Sequence, residues 1–260
     1  MGIRLEDVSY KDKIKNISYD FEDGKITTVI GSSNSGKTLL SYILSGVIDD
    51  YTGNIDSIYK NRDIGYVFQR PEEAFIFETV KEELIFGIKR YNYRIDEVDK
   101  RIEEVLKMVN LPMSYLNRNP FTLSSGEKVA LALATILILN PKVIIIDDPS
   151  ISLDNYRCNH LIKLLKKLCN RYKKTIIIFS SNTQFLIKVT DNYVLLKNGK
   201  MVLSGNRRDL VDNISKFKNA NVYVPRITEF ISSANKKYNA NLEYTFDIKE
   251  LMKDIYRNVK

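Results

Sequence analysis

The chain has 260 residues, with 40 Lys or Arg against 32 Asp or Glu for a net charge of +8, and it is 44% hydrophobic and 28% charged. That balance excludes a disordered chain and leaves room for one large domain or a domain with an appendage. The longest apolar stretch, around Val129–Leu139, is shorter than the roughly 20 residues that span a bilayer, and the lysines form no dense block interleaved with aromatics, so neither a membrane span nor a nucleic-acid groove is expected.

Short β-like runs open the chain at Arg4–Ser9, Ile14–Phe21 and Ile26–Ile30, with turn chemistry at Glu22–Lys25. The third run stops at a small-residue loop, Gly31–Gly36, and a helical stretch over Lys37–Ser45 follows. Further strands fit Gly53–Ile58 and Ile64–Phe68. From about Glu72 to Leu139 the periodicity turns helical, with one apolar stripe along Ile95–Val109 and breaks at Pro71, Pro112 and Pro120. Apolar runs return at Val143–Ile146 and Thr175–Phe179, the pattern of parallel strands buried on both faces, with Asn155–Tyr172 as the crossover helix between them. Cys158 and Cys169 both fall on that helix and share no metal-ligand spacing, and no charged segment followed by an apolar one opens the chain; a reducing cytosol without a signal peptide is expected. From Ser215 the pattern weakens to helical candidates at Ile227–Lys237 and Ile248–Val259, too little for a core of their own. The whole predicts an α/β sheet with a helical insertion.

Gly31-Ser32-Ser33-Asn34-Ser35-Gly36-Lys37-Thr38 matches the phosphate-loop pattern, between a strand and a helix as that motif requires. Small residues let backbone N–H groups wrap phosphates, and the following helix aims its positive end at them. Lys37 supplies charge to the β/γ-phosphates and the Thr38 hydroxyl is a Mg²⁺ ligand, so ATP and Mg²⁺ are the cofactors expected. The apolar strand Val143–Ile146 ends in Asp147 and Asp148, which places Asp147 beside the loop as a second Mg²⁺-associated group.

Leu123-Ser124-Ser125-Gly126-Glu127, at the start of a helix between these two motifs, resembles the LSGGQ signature of ATP-binding-cassette ATPases, with Ser125 and Glu127 replacing its usual Gly and Gln. The resemblance implies a P-loop fold of RecA-like core sheet, antiparallel β subdomain and inserted helical subdomain. It implies ATPase activity in a head-to-tail dimer, where Ser124 and Gly126 bind ATP held by a second subunit. Gln69 resembles the Q-loop glutamine that reaches Mg²⁺ and the attacking water, and Ser150–Asp154 resembles the D-loop at the dimer interface. Tyr10 is the candidate for stacking on adenine, with a plain core tyrosine as the other reading.

The stretch Gln69–Val80 followed by Glu82–Gly87 is similar to the Q-loop region of energy-coupling-factor importer ATPases, which drive uptake of vitamins and transition-metal ions. Val224–Phe230 is similar to that family's C-terminal segment, which helps hold two ATPases together. The implied organisation is an ATPase domain over 1–214, its helical subdomain at about 72–140, and an extension over 215–260 that packs on the domain or serves dimerisation. The implied partners are a second ATPase and integral membrane transport subunits, on the cytoplasmic face of the membrane, with no nucleic acid. The Ala74–Phe77 run suits either the groove that receives membrane helices or a core contact. An ATPase of another cassette transporter, or a non-transport ATP switch, remains the alternative.

Three residues depart from the family pattern. The catalytic glutamate is here Asp148, the switch histidine falls at Ser181 or, one residue on, at Asn182, and Asn34 stands for a glycine. His160, the sole histidine, lies on the wrong helix for the switch and reads as a surface or core side chain. An aspartate reaches roughly 1.5 Å less than a glutamate, and misplacement by about 1 Å can cost on the order of a hundredfold in rate. Tight ATP binding with slow turnover is therefore expected at this chain's own site, the reverse reading being that Asp148 shifts to reach water.

Overall fold

The computed structural model describes residues 2–91, 97–149, 153–210, 212–240, 242 and 248–258. The elements run β1 (Ile3–Tyr10), β2 (Ile14–Phe21), β3 (Ile26–Gly31), α1 (Lys37–Leu44), β4 (Thr52–Ser57), β5 (Ile64–Val67), α2 (Val80–Arg90), α3 (Val98–Val109) and α4 (Ser125–Leu137). They continue as β6 (Val143–Asp147), α5 (Asn155–Tyr172), β7 (Thr175–Ser180), α6 (Thr183–Val189), β8 (Asn192–Lys197), β9 (Lys200–Asn206), α7 (Ile214–Asn219), α8 (Arg226–Tyr238) and α9 (Ile248–Asn258). The predicted Ile95, Ser150–Ser152 and Val259 lie outside the described residues.

Among the described residues the main sheet has the order β5-β6-β7-β3-β8-β9, parallel except for the β8–β9 hairpin, and a smaller antiparallel sheet has the order β2-β1-β4. The all-apolar strands explain the arrangement, because alternate residues enter different cores. Ile144, Ile146, Ile176 and Ile178 face a core closed by α4, α5 and α6. Val143, Ile145, Ile177 and Phe179 face the opposite core, closed by Leu40, Ile43 and Leu44 of α1 and by the small sheet. A strand buried on both faces has no polar side to alternate, as the sequence pattern predicts.

The insertion between β5 and β6 holds α2, α3 and α4. Thr79 and Glu82 form a capping box that starts α2, and Asn110 in the left-handed region ends α3. Arg101 of α3 donates to the carbonyls of Leu137 (2.6 Å) and Ile138 (3.3 Å), the unsatisfied C-terminal end of α4. His160 of α5 lies 3.1 Å from the Met108 carbonyl through Nε2, which ties α5 to the end of α3.

Two sequence expectations are corrected. The fourth strand starts and ends one residue earlier than Gly53–Ile58. Strands β8 and β9 and helix α6 are not among the elements that the pattern predicts. In the tail Ile231, Ala240, Leu242 and Leu251 form a small cluster apart from the main core, while Phe217 of α7 joins the main core. Among the described residues no helix is long and apolar enough to cross a membrane.

Ile145→Ala, in the middle of β6 with no exposed surface, is expected to cost about 2–5 kcal/mol. A urea unfolding curve should show a lower midpoint with an unchanged slope.

Candidate functional site

The C-terminal ends of β3, β6 and β7 meet at one edge of the sheet because the three strands run parallel and in register. Asp147 of β6 pairs with Phe179 of β7, and Ile30 of β3 pairs with Ser180 of β7. Whatever follows each strand therefore emerges together: the Gly31–Thr38 loop, Asp148, and Ser181.

The loop folds back on itself. The Ser35 amide donates to the Ser32 carbonyl (3.2 Å), and the Lys37 ammonium donates to the carbonyls of Gly31 and Ser32 (2.9 Å each). Gly36 has φ of +102°, where a side chain would be strained, and its added Cβ would sit 2.7 Å from Ile14 Cδ1. Asn34 also lies in the left-handed region, which asparagine tolerates better than most residues; this explains how it stands for a glycine. Ser33 and Asn34 are exposed, Ser32 and Thr38 half-buried. Ser35 is buried, and its hydroxyl oxygen has no hydrogen-bond partner. A cleft of about 290 Å³ opens over the loop, lined by Lys13, Asn34, Gly36, Lys37, Thr38 and Leu39.

Lys13, like Leu39 of α1, lines this cleft without being among the site residues that the sequence predicts. It sits in the turn joining β1 to β2, whose signal was only its place between two strands. The β8–β9 turn also braces the loop: the Gly199 amide donates to the Ser35 carbonyl (3.0 Å) and the Gly199 carbonyl accepts from the Lys15 amide (2.8 Å).

Burial pushes the Lys37 ammonium below the ordinary lysine value, and the charges of Asp148 and Asp147 oppose that shift. Asp147 is 2% exposed and its Oδ2 has no hydrogen-bond partner. Burial pushes its carboxyl up to about 6, with Asp148 adding to the rise and the Thr38 hydroxyl and Lys37 countering it. Asp148 is buried and has φ of 40°. Its amide donates to the Phe179 carbonyl (2.7 Å), its Oδ1 accepts from the Ser180 hydroxyl (2.5 Å), and its Oδ2 accepts from Ser181 at the long distance of 3.5 Å. Asn182 acts as a helix cap instead, its side chain accepting from the Phe185 amide that starts α6.

Gln69 is exposed two residues beyond β5, at the same sheet edge. Tyr10 ends β1, half-buried against the small-sheet core, with the Lys11 ammonium 4.8 Å from its ring centre. Ser124 lies far along the insertion, at the N-cap of α4. It forms a capping box with Glu127, whose Oε2 accepts from the Ser124 amide (2.9 Å) and whose amide donates to the Ser124 hydroxyl (3.4 Å). Glu127 also accepts from Arg157 of α5 (3.4 Å). Burial raises the Glu127 carboxyl, but the Ser124 hydrogen bonds and Arg157 outweigh it and hold the group below the ordinary carboxylate range. A Cβ at Gly126 would lie 2.5 Å from Arg157 Cδ, so the glycine lets the arginine cross the helix start.

A backbone loop and buried lysine at the edge of a parallel sheet, beside a buried strand-end aspartate, define a nucleoside triphosphatase of the phosphate-loop class. Residues 14–151 match the family described as ABC transporter, and the chain belongs to that family as an ATP-binding, ATP-hydrolysing cassette. It is 29% identical to the energy-coupling factor transporter ATP-binding protein EcfA2 of Clostridium acetobutylicum, over 99% of this chain and 98% of that one. Among solved structures it is similar to cbiO1 from Clostridium perfringens, part of the ABC transporter complex cbiONQ, at a TM-score of 0.72 and 26% identity, covering 88% of this chain and 98% of that one. It is also similar to a dimeric, post-hydrolysis ATP-binding cassette bound to ADP and Pi, at 0.71 and 26%, covering 79% and 99%.

The raised Asp147 carboxyl carries a stability consequence. A carboxyl lifted to about 6 by the fold favours folding when protonated, below its unfolded value near 4, and that stabilisation is lost as pH rises through 6. Asp147→Asn should therefore stabilise the nucleotide-free protein at pH 8 by on the order of 2 kcal/mol, an advantage that fades towards pH 4. Denaturant melts at the two pH values check this.

Proposed function

We propose that this chain is the ATP-binding and ATP-hydrolysing subunit of an energy-coupling-factor type importer for a vitamin or a transition-metal ion, and the catalytically weaker member of an ATPase heterodimer. The importer reading rests on similarity to the Clostridium acetobutylicum relative that runs through the tail as well as the cassette. In this reading residues 1–214 are the cassette, with its helical subdomain at about 72–140, and 215–260 pack against it or against the second ATPase. The chain works at the cytoplasmic face of the membrane.

Within the site, Lys37 and the amides of Gly31–Gly36 hold the β- and γ-phosphates of ATP. The orphaned, buried Oδ2 of Asp147 and the Thr38 hydroxyl hydrogen-bonded to that carboxyl are hard oxygen donors suited to Mg²⁺, with Gln69 at the same edge. Bound there, the ion would neutralise charge on the phosphates. In hydrolysis a water oxygen attacks the γ-phosphorus, the bond to the bridging oxygen breaks, ADP leaves, and the water's proton passes to an acceptor such as Asp148. Tyr10 stacks on the adenine. Ser124 and Gly126, at the N-terminus of α4, complete the ATP site of the second subunit.

The weaker-site reading is carried by one observation: the Asp148 carboxylate is engaged by the serines that end and follow β7. Lys37→Ala should abolish ATP binding, measured by calorimetry in Mg²⁺ buffer, and unchanged affinity would refute the phosphate-loop role. In the assembled complex Ser124→Arg should inhibit turnover severely, because it puts bulk and charge where the partner's γ-phosphate docks. Asp148→Asn should change it little, and a complex silenced by that change would show that this aspartate is the working base.

A membrane subunit docks on the surface around Ile76. Phe75 belongs to the core, the second of the two readings of this run, whereas Ile76 is 68% exposed. The buried Glu83 carboxylate accepts from the amides of Ile76 (2.5 Å) and Phe77 (2.6 Å) and so presents Ile76 outward. The partly exposed rings of Phe86 and Phe121 flank it, Phe86 against Phe77 and Phe121 against Phe75. Ile76→Asp should uncouple transport from ATP binding, whereas Phe75→Ser should lower stability. Uptake assays in vesicles, paired with nucleotide-binding titrations, separate the two.

A further inference from the structure

Ser180 has no role in the site described so far, yet its hydroxyl hydrogen-bonds the Asp148 carboxylate. Its side chain is 0% exposed. Its hydroxyl direction is settled by its two neighbours: the Asn182 amide donates to Ser180 Oγ (3.1 Å), which leaves the hydroxyl proton for Asp148 Oδ1 at 2.5 Å. A hydroxyl–carboxylate bond is charge-assisted and stronger than a neutral one. Ser180 cannot follow the carboxylate if it moves, since its backbone pairs with Ile30 of β3 in the middle of the sheet. Asp148 is equally fixed at its backbone, through its amide bond to the Phe179 carbonyl. Only side-chain torsions remain to carry the carboxylate towards the cleft, and the Ser180 bond restrains them.

We propose that Ser180 is a positioning residue that holds the Asp148 carboxylate against β7 and thereby limits its use as a base. Reaching an attacking water requires breaking a charge-assisted hydrogen bond between two groups whose backbones are fixed. Ser181 does not substitute for Ser180, because it is exposed and its hydroxyl is 3.5 Å from Oδ2. Slow turnover at this site then has two sources, the short side chain and the restraint upon it, and the second is removable without altering the phosphate loop.

The proposal rests on the weaker-site reading, and the test separates the two. The complex is assembled with the second ATPase's catalytic carboxylate replaced by its amide, so that hydrolysis reports on this chain's site. Ser180→Ala should raise kcat by about tenfold, the scale of one hydrogen bond to a charged group, with KM for ATP unchanged. Ser180→Thr, which keeps the hydroxyl, should match the parent, and Ser180→Cys, a weaker donor of similar size, should fall between. The gain should vanish when Ser180→Ala is combined with Asp148→Asn. An unchanged or lower kcat at unchanged ATP affinity in both the Ala and Cys variants overturns the proposal, as does a gain that survives without Asp148. If the parent complex with the silenced second site already turns over near its full rate, the weaker-site reading itself falls, and the proposal falls with it.

Discussion

Parallel, in-register pairing of β3, β7 and β6 is the constraint on which the rest depends. It sets Ile30 beside Ser180 and Asp147 beside Phe179, so three separate segments leave the sheet at one level. A helix N-terminus, a buried lysine and a pair of aspartates are thereby concentrated at one edge, where ligands bind in open α/β sheets. The pairing is held by burial on both faces: each strand sends alternate side chains into two different cores, and neither face can slip register without exposing isoleucines.

The two cores also divide the labour. The core containing α1 fixes the phosphate loop, assisted by the β1–β2 turn and the β8–β9 turn that contact it from the small sheet and the sheet's far edge. The other core extends without a break into the helical insertion, through Leu84, Ile102, Leu106 and Leu131. Docking at Ile76 and ATP closure at Ser124 would thus load one packed unit, with Arg101 and His160 as its polar ties. Close-packed interiors transmit such displacement instead of absorbing it.

Much of this was legible in the sequence because the relevant physics is local. The Gly31–Thr38 pattern, the Val143–Asp147 strand and the Ser124–Glu127 cap each need only neighbouring residues to declare themselves. Strands β8 and β9 escaped because Val194–Leu196 is a short apolar run beside a β9 that alternates half-buried and exposed residues, and neither carries a strong signal alone. Lys13 escaped for a different reason: nothing in its neighbours marks it, and it lines the cleft only because the β1–β2 turn folds over Gly36. Phe75 and Ile76 are adjacent in an apolar run, and only the two hydrogen bonds to Glu83 separate a core residue from an exposed one. The role of Ser180 depends wholly on a neighbour 32 residues away in the chain.

The central proposal is that this chain holds ATP and cleaves it slowly while the second ATPase does most of the hydrolysis. Photo-crosslinking of azido-ATP to the turning-over complex tests it directly, with the label placed either on the α- or on the γ-phosphate. After several turnovers this chain should carry α- and γ-label in equal amounts, whereas the partner should keep the α-label and lose the γ-label. Equal loss of γ-label from both subunits would contradict the account.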